Sequence, residues 1–348
     1  MDRYRQEINK MIELPLPWGE FKGKTIMISG ATGMVGKCLI DVLMHYNGIM
    51  EKPGDKIRVI ALSRNEERAK ERFQDYWDEE YFAYTSCDVN EVIPECGTVD
   101  YIVHAASNTH PLQYSQDSIG TITANIIGTK NLLDYAVTHD TKQFCFVSSV
   151  EVYGENRGDI EKFDEKYLGY IDCNTLRAGY PESKRLGETL CNAYKQTYGL
   201  DFVISRLSRC YGPTMLASDT KAISQFIKKA AAGEDIVLKS EGNQKYSYSF
   251  VTDAVAGILY VMLLGKQGEA YNIADEASDI TLKDLAGTLA GIAGTKVIFE
   301  LPDETERRGY STATKAMLDA SKLQTLGWKA QVHMEDGLRC VVDECKKC

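Results

Sequence analysis

Short apolar runs and longer segments of helical spacing take turns along the first two hundred residues. Ile26 to Ile28 form an apolar run, and Met34, Val35, Cys38, Leu39, Val42 and Leu43 follow at helical spacing. Residues 57–62 read as a second strand, and the charged stretch 66–77, with apolar positions at helical intervals, as a helix. Residues 99–107 form a buried strand ending in small residues. A helix is predicted over 119–138, a strand over 143–149, a helix from Pro181 to about Tyr198 and a strand over 201–207. Repeated βαβ order predicts a doubly wound, parallel α/β sheet of Rossmann type. After Pro213 the rhythm loosens into helices at 220–232, 253–264 and 281–293, with short strands near 236–238 and 270–273. The expected organisation is a Rossmann domain over 20–210, preceded by an amphipathic lead-in (1–19) packed on its surface. A smaller C-terminal α/β substrate domain over 211–348 follows, with some chain crossing back.

The junction between the first strand and first long helix carries Gly30-x-x-Gly33-x-x-Gly36. One glycine permits the tight turn, one lets the backbone approach a pyrophosphate, and one lets helix pack close to strand. The anion then sits at the helix N-terminus, where free N–H groups and the helix dipole favour it. A purely structural turn can hold the same three glycines, so the flanking strand and helix supply the discriminating context. Gly30, Thr32, Gly33, Met34, Val35 and Gly36 are therefore expected to bind a dinucleotide. At the tip of the second strand stand Ser63 and Arg64, with no acid before Glu66. An acid there suits the ribose 2′-OH of NAD and an arginine suits a 2′-phosphate, so the sequence leans towards NADP, with NAD as the alternative. Asp88 and Val89 are placed near the adenine, and Ala105, Ala106 and Ser107 at the ligand end of the fourth strand. His104 is read as a packed residue.

Composition narrows the partners. A formal net charge of −10 over 348 residues, without a stripe of Lys or Arg, argues against nucleic acid or an anionic membrane as the main partner. No apolar run approaches the roughly 18 residues of a membrane span. Ten scattered cysteines read as reduced thiols of a cytoplasmic protein, and Cys340, Cys345 and Cys348 lack an ordered fourth ligand for zinc, so no metal site is expected.

The chemistry centres on Ser149, Tyr180 and Lys184. Oxidising a carbinol requires removal of its hydroxyl proton as hydride leaves. A tyrosine, with an ordinary pKa of about 10, does this once that value is lowered. Lys184 lies one helical turn from Tyr180 and favours the phenolate, and Ser149 ends the neighbouring strand.

Together with His104-Ala-Ala-Ser, Asn125, Gly128-Thr-Lys-Asn-Leu-Leu, Ser148-Ser-Val-Glu-Val-Tyr-Gly, Phe-Val-Thr-Asp253 and Asp319-Ala-Ser-Lys-Leu-Gln-Thr-Leu-Gly-Trp328, these motifs resemble the extended short-chain dehydrogenase/reductases. Within them the chain looks like the nucleotide-sugar epimerase/dehydratase family, over roughly 23–335. That resemblance implies Tyr180 as general base, Lys184 lowering its pKa and holding the nicotinamide ribose, and Ser149 orienting the sugar 4-hydroxyl. It implies Asn125 ordering the site and a nucleotide-diphosphate sugar as substrate. A homodimer through a four-helix bundle of helices near 119–138 and 183–198 is also implied, as is a role in polysaccharide synthesis.

Departures divide the readings. The family's dehydratases carry Thr-Asp-Glu where this chain has Ser149-Val150-Glu151. Glu151 suits removal of a C5 proton, whereas Val150 cannot protonate a leaving hydroxyl, and uronate decarboxylases place a small hydroxyl there. Arg209 stands where a substrate-binding Asn is expected, and Tyr246, beside Lys245, where an Arg is expected. Arg307 and Arg308 are candidate diphosphate ligands, as Ser107 is for substrate. An epimerase is the first expectation. A 4,6-dehydratase, uronate decarboxylase or NADPH-dependent 4-keto reductase is the alternative. A non-catalytic dinucleotide sensor is disfavoured because Tyr180 and Lys184 are both kept.

Overall fold

The computed structural model describes residues 3–109, 117–300 and 314–347. Numbered in chain order, its first half runs α1 (Arg3–Ile12), β1 (Thr25–Ser29), α2 (Met34–Gly48), β2 (Arg58–Ser63), α3 (Glu66–Arg72), β3 (Phe82–Ser86), β4 (Tyr101–His104), α4 (Ser118–Thr138), β5 (Gln143–Ser149), α5 (Gly179–Tyr198) and β6 (Phe202–Leu207). Then come β7 (Arg209–Tyr211), α6 (Ala222–Ala232), β8 (Ile236–Leu238), β9 (Lys245–Phe250), α7 (Val251–Leu264), β10 (Ala270–Ile273), β11 (Asp275–Thr281), α8 (Leu282–Ala293), β12 (Val297–Phe299), β13 (Lys315–Ala316), a short α9 (Ser321–Gln324) and α10 (Met334–Cys345).

Seven strands form one sheet in the order β10-β6-β5-β4-β1-β2-β3, and every adjacent pair is parallel. Alternation along the strands covers both faces. Ile26, Ile28, Val59, Ala61 and Val103 join α1, α2 and α7 in one core. Met27, Ile60, Leu62, Ile102, Phe144 and Phe146 face the α4 and α5 side. The chain leaves β1 for β2 on one side and returns to β4 on the other. The crevice between β1 and β4 is thus the point where strand order reverses, which is where such sheets hold ligands.

The lead-in packs as α1 against α2 and α7, burying Ile8 and Met11, and Trp18 stacks on Tyr46 with ring centroids 4.6 Å apart. Helix α3 stops at Arg72 rather than near 77, because Phe73 and Trp77 turn back onto Phe82 of β3. Strands β7, β9, β11 and β13 form a second sheet that no sequence pattern announced. It packs with α6, α8 and α10 in a separate core around Tyr211, Phe226, Tyr248 and Leu338. No helix among the described residues is long and apolar enough to cross a membrane.

Asp253 ties the C-terminal segment to α7. Its carboxylate accepts the backbone N–H groups of Gln331 (2.9 Å) and Val332 (3.0 Å), and its carbonyl accepts the Trp328 indole (3.1 Å). Burial outweighs these bonds and pushes its pKa up to about 7. The folded value lies above the unfolded one, so Asp253 contributes stability that is complete below about pH 4 and lost as pH rises through about 7, a change on the order of 4 kcal/mol. Thermal melts across pH 4–8 are therefore expected to show a falling component in the wild type that Asp253→Asn lacks.

Candidate active site

The glycine turn is shaped for close approach. Gly30 has φ +69°, and a Cβ there would lie 2.6 Å from the Ala106 nitrogen and 2.7 Å from the Ala105 carbonyl. A Cβ on Gly36 would lie 2.5 Å from the Gly30 oxygen. Gly33 is the N-cap of α2 and offers no side chain, so the first-turn N–H groups at Met34 and Val35 face a helix start without a side-chain acceptor. Thr32 in the turn is buried, and the buried Ser107 hydroxyl and Asn125 side-chain oxygen have no hydrogen-bond partner among the described residues. Glycines that admit only backbone, a helix start open to an anion and orphaned polar atoms together fit a dinucleotide.

At the β2 tip, Arg64 is exposed, and its Nη1 lies 3.7 Å from the Asp88 carboxylate. The fold thus supplies the acid that the local sequence lacked, from the end of β3. Ser63 is buried, and its carbonyl accepts the Tyr84 hydroxyl at 2.8 Å. Val89 packs where α4 comes close. A Cβ on Gly128 would meet the Val89 side chain at 2.5 Å, and Asn131 bonds the Val89 carbonyl at 2.9 Å. His104 is a packed residue, bonded to the Ser29 hydroxyl (2.7 Å) and the Thr129 hydroxyl (3.0 Å).

Ser149 ends β5 and caps the 3-10 turn Val150–Tyr153, its hydroxyl accepting the Glu151 N–H at 3.3 Å. The Tyr180 side chain, in the first turn of α5, is hydrogen-bonded to Ser149. Asn125 donates to the Ser183 hydroxyl (2.9 Å), which donates to the Tyr180 carbonyl (2.9 Å), so α4 fixes the start of α5. Lys184 is buried, donates to the Val147 carbonyl at 2.9 Å and lies over the Phe146 ring. Burial lowers its pKa to about 8, with Glu188 opposing.

The sequence reading has Lys184 lowering the Tyr180 pKa. In the folded protein the Tyr180 pKa is raised, because burial outweighs the Ser149 hydrogen bond and Glu151 adds unfavourable charge. The Lys184 ammonium is directed instead at the Val147 carbonyl.

A second group stands beside this one. Arg209 Nη2 lies 3.4 Å from Glu151, and its guanidinium covers the Tyr246 ring at 3.6 Å. Lys245 precedes Tyr246 on β9 and by strand alternation points to the other face, so the structure does not bring it into this group. Arg307 and Arg308 lie outside the described residues. Two nearby residues went unremarked in the sequence. Lys221 reaches the Thr109 hydroxyl at 3.3 Å from a loop with no motif. Cys210 is half-buried near Lys221, and desolvation pushes its thiol up to about 12. Cys210 is signalled in the sequence by its place next to Arg209, and Lys221 by no motif.

Beneath the site lies a buried ion pair. The Arg206 Nη2 to Glu188 distance is 2.6 Å and the Nε to Glu188 distance 3.0 Å, and Arg206 Nη1 donates to the Tyr153 hydroxyl and the Glu165 carbonyl, both at 2.9 Å. Ser148, next to Ser149, donates to Glu188 at 2.6 Å.

With this geometry established, comparison with known proteins is specific. The family model described as "NAD dependent epimerase/dehydratase family" matches residues 26–274. UDP-glucuronic acid decarboxylase 3 of Arabidopsis thaliana is 30% identical over 317 residues, covering 90% of this chain and 86% of the relative. UDP-glucose 4-epimerase of Thermotoga maritima, solved with UDP-glucose, superposes with a TM-score of 0.78 at 20% identity, covering 93% of this chain and 99% of that one. A dTDP-glucose 4,6-dehydratase of Streptomyces venezuelae, solved with NAD bound, gives 0.78 at 24% identity, covering 93% and 97%.

Proposed function

Given that the chain belongs to the NAD dependent epimerase/dehydratase family, we propose that it oxidises C4 of a nucleoside-diphosphate sugar at Ser149, Tyr180 and Lys184 and then restores the carbinol with inverted configuration. The observation that carries this reading is the buried Ser149–Tyr180 hydrogen bond one helical turn from the Lys184 ammonium. Bound NAD supplies the hydride acceptor and, when oxidised, a positive charge. The sugar C4–H is lost as hydride, and the 4-hydroxyl proton passes to the Tyr180 oxygen. Ser149 holds the reacting oxygen, and Lys184 compensates the negative charge that Tyr180 carries as phenolate before it takes that proton. The glycine turn and the α2 N-terminus would hold the pyrophosphate, and Asp88, beside Arg64, favours NAD over NADP because its carboxylate repels a 2′-phosphate.

Val150 and Glu151 favour inversion over dehydration. Val150 is buried and has no proton to give, and Glu151 is held in an ion pair with Arg209. A second reading, uronate decarboxylation, draws support from the relatives, several of which are UDP-glucuronic acid decarboxylases. There the C5 carboxylate leaves as CO₂, its electron pair enters the 4-ketone as an enolate, and C5 takes a proton. A homodimer through α4 and α5 and a cytoplasmic location belong to the same proposal. Ile119, Ile127 and Leu186 are exposed on those helices.

The test is proton NMR in D₂O of the NAD-loaded protein with UDP-glucose, UDP-glucuronate and dTDP-glucose, run in parallel with Glu151→Gln. C4 inversion without deuterium uptake, unchanged within twofold in Glu151→Gln, is the expected result. A pentose product with deuterium at C5 replaces epimerisation by decarboxylation. A new methyl signal with C5 deuterium replaces it by dehydration. No change at C4 in any sugar removes the C4-oxidation reading.

A further inference from the structure

We propose that Arg209 is a specificity-determining residue that selects nucleotide sugars bearing a carboxylate on C5. The inference rests on the C4-oxidation reading and names the substrate class of that same site. Three observations carry it. Arg209 projects from β7 with its guanidinium 3.6 Å over the Tyr246 ring, which is itself buried, so the fork rests on a rigid floor rather than in solvent. One terminal nitrogen, Nη2, is committed to Glu151 at 3.4 Å. The other, Nη1, is buried and has no hydrogen-bond partner among the described residues. A buried guanidinium nitrogen left unpaired is costly, which makes Nη1 a place for a ligand oxygen to bind.

The position of the pair identifies the ligand atom it would meet. Ser149 links both groups, since its hydroxyl is bonded with Tyr180 and also accepts the Glu151 N–H. A pyranose whose C4 oxygen meets Ser149 and Tyr180 presents C5 as the next ring carbon, towards Glu151 and Arg209. With one nitrogen on Glu151 and one free, a single planar fork can bridge two carboxylates and offset part of their mutual repulsion. A hydroxymethyl group at C5 takes one weaker bond and leaves the ion pair's net charge unchanged. Lysine cannot substitute for this geometry, because its ammonium has no flat face for Tyr246 and no fork. If Arg209 served only as counter-ion to Glu151, substrate selectivity would not depend on it.

The test separates these roles by a ratio rather than by activity. Binding of UDP-glucuronate and UDP-glucose is measured by calorimetry on NAD-loaded protein in a Tyr180→Phe background, where turnover does not interfere. UDP-glucuronate is expected to bind about 100-fold tighter than UDP-glucose. Arg209→Gln is expected to bring the ratio to within about threefold of unity, and Arg209→Lys to retain only part of it. Circular dichroism melts confirm that each variant is folded. Equal binding of the two sugars, binding of neither, or an Arg209→Gln variant that weakens both by the same factor overturns the proposal. Selectivity that survives while the protein with Tyr180 intact oxidises no sugar at C4 overturns the reaction assignment instead.

Discussion

Tyr180→Phe is expected to lower sugar turnover by about 10³-fold while leaving cofactor binding nearly intact, since loss of a positioned proton-transfer group typically costs 10²–10⁴. The substitution removes one oxygen from a fully buried position. It leaves the Asn125–Ser183 bonds that fix the start of α5, because those end on the Tyr180 backbone carbonyl and not on its side chain. The folded site keeps the Tyr180 proton more firmly than water does. Activity is therefore expected to rise with pH, as removal of that proton becomes easier. Steady-state rates with the sugar identified by NMR, paired with the absorbance of NAD retained after gel filtration, check both halves. Turnover unchanged from wild type would remove Tyr180 from the chemistry, and a variant that loses NAD along with activity would make it a binding residue.

The largest effect on stability is expected at Glu188. Its carboxylate receives two bonds from Arg206 and one from Ser148, with both side chains of the ion pair about nine-tenths buried. Glu188→Ala leaves the Arg206 guanidinium buried without its counter-charge, which destabilises by about 3–5 kcal/mol. The double variant Glu188→Ala/Arg206→Met is expected to recover much of that loss, because it removes the isolated charge as well as the pair. Urea unfolding of the two single variants and the double variant completes the cycle. Additive losses would mean that the two side chains do not act together. The pair also joins α5 to the end of β5 and to β6, so Glu188→Ala is expected to lower turnover even where the protein remains folded.

Within single elements the sequence was decisive. The run from Ile26 to Gly36 specifies strand, turn and helix, because three glycines at fixed offsets are the only residues that tolerate the backbone contacts seen at Gly30 and Gly36. The four-residue spacing of Tyr180 and Lys184 places both on one face of α5 wherever that helix sits. Repeated βαβ order marked a doubly wound sheet, and the apolar runs of β1, β2 and β4 supply residues to both of its buried faces. All of these follow from local periodicity and sterics.

The tertiary structure decided what depends on distant partners. Asp88 meets Arg64 only because β2 and β3 pair side by side. The upward push on the Tyr180 pKa follows from burial, which no spacing of Tyr and Lys encodes. The second sheet escaped notice because β7 and β13 are very short and β11 is charged, so their apolar alternation is too brief to stand out. That sheet sets Arg209 against Tyr246, and β5 brings up Glu151, fifty-eight residues earlier in the chain. Read singly, Arg209 and Tyr246 are two departures from a family pattern. Packed together, they form one site, because only the fold brings their strands within contact of the residue that follows Ser149-Val150.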